Sequence, residues 1–158
     1  MSELARIDDL ASAWVRAWTG ESGFDGCCTP DIQYEDPIAH DPLQGLDALE
    51  RHAARLRSAL PDLRVERTGK ALADDTYACV PWRVVGTHKN STAGLPATNR
   101  FLALHGLHYF ELTDGEVRRA RGFFDLYDAA TQLGLLPARG GIGESVLLLL
   151  RGFGLRAS

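Results

Sequence analysis

The sequence has no surplus of basic residues. Its 158 residues include 17 Lys and Arg against 21 Asp and Glu, which gives a formal net charge of −4 at pH 7. Contacts from Lys and Arg to phosphate groups dominate the binding of proteins to nucleic acids and to anionic membranes. We therefore expect neither a nucleic acid nor a membrane as a partner.

Cysteine and long apolar runs are also scarce. The three cysteines, Cys27, Cys28 and Cys79, form an odd set without a disulfide framework, and no Cys and His cluster has the spacing of a zinc site. The most apolar run, residues 146–150, is far shorter than the roughly 20 residues that span a bilayer. The N-terminal segment has helical spacing rather than a secretory signal. We expect reduced thiols, no bound metal and a cytoplasmic protein.

What the chain does contain is a series of regular apolar patterns. Apolar residues spaced by three and four predict helices over residues 7–18, 46–60 and 126–133. We expect Ser2 to cap the first helix and Gly20 to end it. Alternating patterns predict strands over residues 32–37, 63–73, 76–88, 100–112 and 116–124. The length and the lack of linkers or repeats indicate one domain.

This order of elements indicates an α+β fold. Two helices come early, and the later strands are joined by hairpins, which implies a strongly bent antiparallel sheet. Helices that pack on one face of such a sheet close it at one end and leave a cone. We therefore predict a cone-shaped domain with a hydrophobic pocket for a small apolar ligand.

Several short motifs carry a family resemblance. They are Tyr34-Glu35-Asp36-Pro37, then GLDAL (45–49), ALPDL (59–63), GTH (86–88), LPATNR (95–100), DG (114–115), FD (124–125) and QLG (132–134). In this order and spacing they resemble the SnoaL-like polyketide cyclases of the nuclear-transport-factor-2-like superfamily. The similarity extends from Trp14 to about Leu136. It implies a domain over residues 1–136 and an apolar extension over 137–158, which we expect to pack on the domain or on a partner copy.

The resemblance also implies a function. The best-known members of this family are cofactor-free enzymes of secondary metabolism and antibiotic biosynthesis. They close the last ring of an aromatic polyketide by an intramolecular aldol condensation, while relatives bind, hydroxylate or isomerise other apolar metabolites. Members often pair through the outer face of the sheet. We therefore expect a homodimer that takes a small apolar metabolite of the aromatic polyketide kind and uses no cofactor.

The first strand supplies a candidate acid or base. Ile32, Tyr34 and Asp36 alternate onto one face, which we expect to point inward. In the cyclases a polar side chain that touches the ligand commonly precedes this proline, and Asp36 holds that position here. A carboxylate in an apolar cone has a raised pKa and acts as an acid or base near neutral pH. The alternative is that Asp36 hydrogen-bonds the backbone of the turn through Pro37.

The strand over residues 100–112 supplies a second candidate. His108 is the only titratable group on its inward face, where Phe110 also lies, and the cyclases have a histidine at a similar place. An imidazole with its ordinary pKa of about 6.5 passes protons in either direction near neutral pH. The alternative is a core histidine with a satisfied hydrogen bond. We expect His105, on the opposite face, to lie at the surface or in an interface.

The last strand departs from the family pattern. The cyclases use an aspartate there as general acid and base, and counting from His108 through Asp114 and Gly115 places that position on Gly122. Glycine cannot carry a proton. Either a bulge or slip lets Asp125 take over, or the pocket has another use. Asp125 also has the position of a helix N-cap.

Other candidates for substrate contact are aromatic or basic. Trp82 would form a flat wall for a ring system, or it packs in the core. Arg121 either polarises a substrate carbonyl or lies on a solvated strand face. Phe110 and Phe124 complete this set. We expect His88, at a strand end, to be exposed.

Three functional hypotheses remain open. In the leading one, Asp36 or Asp125 removes a proton alpha to a carbonyl, and His108 or Tyr34 stabilises the enolate oxygen. In the second, the domain binds small molecules without catalysis, which Gly122 favours. In the third, the protein opens epoxides or hydroxylates its substrate, with the strand bearing Tyr34 and Asp36 orienting a water molecule.

Overall fold

The computed structural model describes residues 3–92 and 94–150. The first helix, α1 (Glu3–Thr19), ends where Gly20 takes a positive φ of 81°. Ser2, the expected cap of α1, lies outside the described residues. The elements in chain order are α1 (Glu3–Thr19), a 3₁₀ turn (Phe24–Gly26), β1 (Cys28–Glu35), β2 (Leu43–Gln44), α2 (Leu46–Ala59), β3 (Arg64–Arg67), β4 (Leu72–Ala73), β5 (Tyr77–Thr87), β6 (Phe101–Thr113), β7 (Glu116–Phe124), α3 (Leu126–Gln132) and α4 (Ile142–Leu150).

The strands form one curved sheet with the order β2-β1-β7-β6-β5-β3, and β4 pairs with β5. The hairpins that join β5, β6 and β7 are antiparallel, as the sequence predicted. β1 pairs parallel with β7, which places Tyr34 opposite Ala120 and Glu35 opposite Arg121. The predicted α+β class with a bent, mainly antiparallel sheet is confirmed.

The strand predicted over residues 63–73 is divided into two short strands. β3 ends at Arg67, which lies opposite Trp82. The next residue of β5 is Pro81, which has no N–H group to donate to a neighbouring strand. Thr68 donates its N–H to the Pro81 carbonyl oxygen at 3.2 Å, and the ladder stops there.

A bulge in β7 decides which of its residues face the core. Leu112 pairs with Val117, whereas Glu111 pairs with Arg119, so Arg118 is an extra residue on β7. The alternation of side chains shifts at this point. Beyond the bulge the inward positions are Ala120, Gly122 and Phe124, and the outward positions are Arg119, Arg121 and Phe123.

The interior contains two apolar clusters. The larger one packs α1 and α2 against the sheet around Trp14 and Phe110. The smaller one contains Trp82 from β5, with Leu102 and Leu104 from β6, Leu60 from the end of α2 and Ala129 from α3. The polar side chain of His108 lies between the two clusters and contacts both. The His108 ring lies 5.1 Å from the Trp14 ring and 5.4 Å from the Trp82 ring, measured between centroids.

Helix α4 makes little contact with the domain. None of its residues is buried, and the Tyr127 hydroxyl on α3 lies 3.2 Å from both the Pro137 carbonyl and the Glu144 carboxylate. Within the described ranges, no helix combines the length and the apolar character needed to cross a membrane. Residues 151–158 lie outside those ranges. The expected packing of the extension on the domain or on a partner copy stays a prediction.

Candidate functional site

Asp36 follows directly after β1, and its side chain is 4% exposed. Oδ1 accepts hydrogen bonds from the backbone N–H groups of Ile38 at 2.9 Å and Ala39 at 2.7 Å. Oδ2 accepts from the Tyr34 hydroxyl at 3.0 Å, and it lies 2.8 Å from Nε2 of His52. Oδ1 therefore holds the turn through Pro37, as the structural alternative predicted, while Oδ2 faces the interior; the role of Asp36 as an acid or base stays a prediction.

His52 on α2 is the site residue that sequence reasoning missed. It lies on the buried stripe of the helix with Leu49, Ala53 and Leu56, and its side chain is 7% exposed. A histidine on such a stripe is itself a signal, because a buried imidazole needs a polar partner. That partner is on another element, and helical spacing alone does not identify it.

The protonation state of His108 is determined by its neighbours. The indole N–H of Trp14 donates to Nδ1 at 3.2 Å, so Nδ1 carries a lone pair. Burial lowers the pKa of His108 to about 3, although the Asp36 charge opposes this. The neutral ring then has its proton on Nε2, which donates to the Tyr34 hydroxyl oxygen at 3.3 Å. The expected proton shuttle with an ordinary pKa is wrong, and His108 acts as a hydrogen-bond donor near neutral pH.

These contacts form one directed chain from Trp14 through His108 and Tyr34 to Asp36. Burial raises the pKa of Asp36, but hydrogen bonds from His52 and from the backbone of the following turn outweigh it, and the pKa lies below its ordinary value. Burial raises the pKa of Tyr34, and the neighbouring Asp36 charge raises it further. The expectation of a raised pKa at Asp36 is wrong, because it considered desolvation and omitted the donors.

Gly122 lies beside this network. It pairs with His108 across β6 and β7, as counting along the sequence predicted. A β-carbon at this position would lie 3.1 Å from the Tyr34 hydroxyl, 3.2 Å from Nε2 of His108 and 3.3 Å from the β-carbon of Asp36. Tyr34 and Asp36 thus fill the space that an aspartate on β7 would need. Asp36 comes to this position from the end of the adjacent strand, β1.

Aromatic side chains surround the network. The Trp82 indole lies directly over Gly106, where an added β-carbon would overlap the ring. The Trp82 ring is 6.1 Å from that of Phe124, measured between centroids. Phe110 stacks against His108 with centroids 5.9 Å apart. The Trp82 indole therefore fills the inward space beside His108 in this conformation. Its Nε1 is buried and has no hydrogen-bond partner in the described part of the chain.

Two surface depressions lie away from the network. One, of about 260 Å³, is lined by α3 residues with Arg139, and the other, of about 300 Å³, lies at the edge formed by β4 and β5. Neither is lined by Asp36 or His108. Across residues 3–92 and 94–150, no group of three His, Cys, Asp or Glu side chains is placed to hold a metal ion.

Two predicted site residues lie elsewhere. Arg121 is on the outer face of β7 and donates to the Glu35 carboxylate at 2.8 Å, which agrees with the predicted alternative of a solvated strand face and not with a contact to substrate in the interior. Asp125 caps α3 by accepting from the Asp128 N–H at 2.9 Å. Its exposed carboxylate also pairs with Arg139 at 2.9 Å. The structure does not bring Asp125 to the Asp36 network.

His88 is buried, and the prediction of an exposed side chain is wrong. It is 2% exposed, and Nδ1 lies 3.2 Å from the backbone N of Thr98, which donates to it. The loop after β5 folds back over the strand end and supplies this contact. Whether a residue at a strand end is buried depends on where the following loop packs. The alternation of residues within the strand does not predict this.

The chemistry available in the network is acid/base chemistry. It holds one carboxylate, one phenol that donates to it, and one neutral imidazole that supports the phenol, all within apolar surroundings. Such a set can accept a proton from a carbon acid and donate a hydrogen bond to the oxyanion that forms.

The fold of this chain is similar to the folds of several solved structures. TsrD from Streptomyces laurentii has a TM-score of 0.74 at 20% identity, covering 86% of this chain and 100% of its own. AclR, a candidate hydroxylase from Streptomyces galilaeus, has a TM-score of 0.70 at 21% identity, with 85% and 100% covered. A protein with a ketosteroid isomerase-like fold from Catenulispora acidiphila has a TM-score of 0.65 at 19% identity, with 80% and 92% covered. At these identities the likeness shows a shared fold.

Sequence comparisons give the family. Comparison with curated protein sequences found no significant match. The model of the SnoaL-like polyketide cyclase family matches residues 8–133, which include all of β1 to β7 and the whole network around Asp36. The chain belongs to the SnoaL-like polyketide cyclase family.

Proposed function

We propose that this protein is a cofactor-independent acid/base enzyme that acts on an apolar, polyketide-like ketone. The reaction is proton removal alpha to a carbonyl, followed by aldol-type ring closure or by isomerisation. The observation that carries the proposal is the convergence of the Asp36 carboxylate and the Tyr34 hydroxyl beside Gly122, opposite His108.

In the proposed step, Asp36 is the base and Tyr34 is the donor to the developing oxyanion. The Tyr34 hydroxyl turns from Oδ2 of Asp36 to the substrate carbonyl oxygen, which releases a lone pair on Oδ2. The alpha C–H bond breaks, its proton moves to Oδ2, and its electron pair passes into the enolate. His108 keeps donating to the Tyr34 oxygen and thereby strengthens the phenol as a donor.

The second half of the reaction returns the proton. In ring closure, the enolate carbon forms a bond to a second carbonyl carbon, and the oxygen of that carbonyl takes the proton from Asp36. In isomerisation, the proton goes to another carbon of the enolate. Both routes restore the Asp36 carboxylate, so no external oxidant or reductant is needed.

The substrate rings would take the place that the Trp82 indole fills beside His108. This position joins the polar network to the smaller apolar cluster, with Phe124 close by. The buried Nε1 of Trp82 lacks a partner within the described residues, and an acceptor oxygen on a substrate would satisfy it. Binding in this mode requires the indole to turn aside.

Deuterium uptake tests the proposed proton removal. 2-Tetralone, a bicyclic ketone with acidic alpha protons, is incubated with the protein in D₂O and followed by proton NMR. We expect the wild-type protein to accelerate exchange at the alpha carbons. Asp36→Asn should reduce this acceleration by about 100-fold or more, and Tyr34→Phe by about 10- to 1000-fold.

Matched variants control for folding. Tyr109→Phe removes a hydroxyl from the outer face, where Tyr109 stacks on Tyr77 at 5.8 Å, and should leave exchange unchanged. Asp125→Asn removes the rival carboxylate charge and should also leave it unchanged. Exchange that survives in Asp36→Asn and Tyr34→Phe contradicts the proposal.

A second candidate is a binding module of the same fold, which the glycine at position 122 favours. Quenching of tryptophan fluorescence by 2-tetralone without deuterium uptake would support this candidate. The likeness to AclR keeps hydroxylation or epoxide opening as a third. A product mass that gains one oxygen atom or one water molecule identifies that class.

Pairing of two copies belongs to the same proposal. Apolar side chains on the outer face of the sheet are exposed, namely those of Phe101, Leu107 and Phe123. A homodimer through this face would cover them. Sedimentation of the wild-type protein and of Phe123→Glu tests this, with a monomeric variant as the expected result. The cytoplasmic location stays a prediction.

A further inference from the structure

We infer that His52 is a positioning residue that holds the Asp36 carboxylate from the side of α2 while the Tyr34 hydroxyl turns to the substrate. This inference rests on the proposed function, in which Asp36 is the base. The contact that carries it is the 2.8 Å approach of Nε2 of His52 to Oδ2 of Asp36, with both side chains buried.

The four hydrogen bonds to Asp36 divide into permanent and exchangeable ones. The two on Oδ1 come from the backbone of the turn and do not change without refolding it. On Oδ2 the donors are Tyr34 and His52. When Tyr34 turns away, His52 is the donor that remains on that oxygen. It keeps the carboxylate in its rotamer and keeps a lone pair directed at the substrate.

The fold holds His52 at this distance through the start of α2. Gly45 donates its N–H to the Ile32 carbonyl oxygen of β1 at 2.8 Å, four residues before Asp36. Gly45 has a positive φ of 79°, a conformation that other residues seldom adopt. The helix therefore begins from a fixed point on the strand that carries the carboxylate, and His52 follows two turns later.

Two uncharged groups from other elements lie beside this pair. α1 contributes the Trp18 indole, whose ring lies 6.0 Å from that of His52, and β7 contributes Gly122. The pH response of the carboxylate therefore reports mainly on its own donors. The titratable groups facing Asp36 are Tyr34 from β1, His108 from β6 and His52 from α2.

The first test needs no substrate. The carboxyl carbon of Asp36 is followed by ¹³C NMR against pH in the wild-type protein, in His52→Leu and in His52→Gln. Loss of a donor to a buried charge should raise the titration midpoint in His52→Leu by about one to two pH units. His52→Gln keeps an N–H donor, so its titration midpoint should lie close to that of the wild-type protein. His105→Gln, on the exposed outer face, should leave the midpoint unchanged.

The second test uses the deuterium uptake of 2-tetralone against pH. The acid limb of the wild-type profile should move upward in His52→Leu by the same amount as the carboxyl midpoint. An unmoved midpoint overturns the inference. A midpoint that moves while the rate profile does not overturns the role of Asp36 as the base, and with it the proposed function. The two failures are therefore distinguishable.

A measurement on the wild-type protein covers the case in which His52→Leu does not fold. ¹⁵N NMR of the imidazoles should show His52 with a proton on Nε2, and its chemical shift should follow the Asp36 titration. In Asp36→Asn this dependence should vanish. A His52 Nε2 without a proton at neutral pH overturns the inference.

Discussion

The Trp14 indole N–H donates to Nδ1 of His108 across 3.2 Å, and this contact decides which nitrogen of the buried imidazole carries the proton. His108 can donate to Tyr34 only because Nδ1 is already engaged as an acceptor. A tryptophan on the apolar stripe of the first helix is thus part of the polar network.

Trp14→Phe tests this contact. The variant leaves Nδ1 of His108 buried without a donor, so we expect a loss of stability about 1–3 kcal/mol larger than in the control. The control is Trp18→Phe, one helical turn away. It removes an equally buried indole whose Nε1 has no partner in the described part of the chain. Urea unfolding measures both, and equal losses would contradict the assigned contact.

The low pKa of His108 predicts acid sensitivity. The unfolded chain binds a proton at this residue below about pH 6.5, whereas the folded state stays neutral until about pH 3. The unfolded state therefore holds more protons in this window, and stability falls as the pH is lowered through it. The slope from this one group reaches about 1.4 kcal/mol per pH unit.

His108→Gln removes this titration and should flatten the unfolding free energy between pH 6.5 and 3. His105→Gln changes an exposed histidine and should leave the slope as it is in the wild-type protein. If the free energy of unfolding had the same pH dependence in both variants, the fold would not hold His108 neutral.

Gly122→Ala tests how tightly the network packs against β7. The added methyl group would come within 3.1–3.3 Å of its nearest atoms, so the neighbours must shift by a few tenths of an ångström. We expect a stability loss of about 1–3 kcal/mol. Gly26→Ala adds a methyl group with nothing within 4 Å and should change stability by less than about 0.5 kcal/mol.

Gly122→Asp introduces the aspartate that the family resemblance led us to expect on β7, and we expect this variant to lose activity. Its carboxylate would lie beside that of Asp36, and two adjacent buried charges raise the pKa of the pair. A raised pKa gives stability that is present at low pH and lost as the pH rises. Urea unfolding at pH 5 and pH 8 should show a larger loss at pH 8. Faster deuterium uptake in this variant would contradict the proposed assignment of Asp36.

Asp125 should behave as a helix cap. Asp125→Ala removes the acceptor for the Asp128 N–H and should lower the free energy of unfolding, whereas Asp125→Asn keeps an acceptor and should lower it less. Neither variant should alter deuterium uptake. A loss of uptake in Asp125→Asn, with stability retained, would return Asp125 to the list of candidate bases.

Local patterns predicted much of the fold and part of the site. The two-residue alternation of β1 placed Tyr34 and Asp36 on one face, and the hairpin count placed Gly122 opposite His108. These inferences succeeded because strand alternation and hairpin register depend on residues close together in the chain. The role of Arg121 could not be decided in this way, because its partner, Glu35, lies on another strand.

The sequence by itself determined the α+β class, the order of the elements and the two strands that carry the polar residues. Only the tertiary structure decided the hydrogen-bond partners and the protonation states of those residues. It placed His52 of α2 against Asp36, Trp14 of α1 against His108, and Trp82 over Gly106. Protonation state depends on burial and on donors that come from distant elements, and no local spacing contains that information.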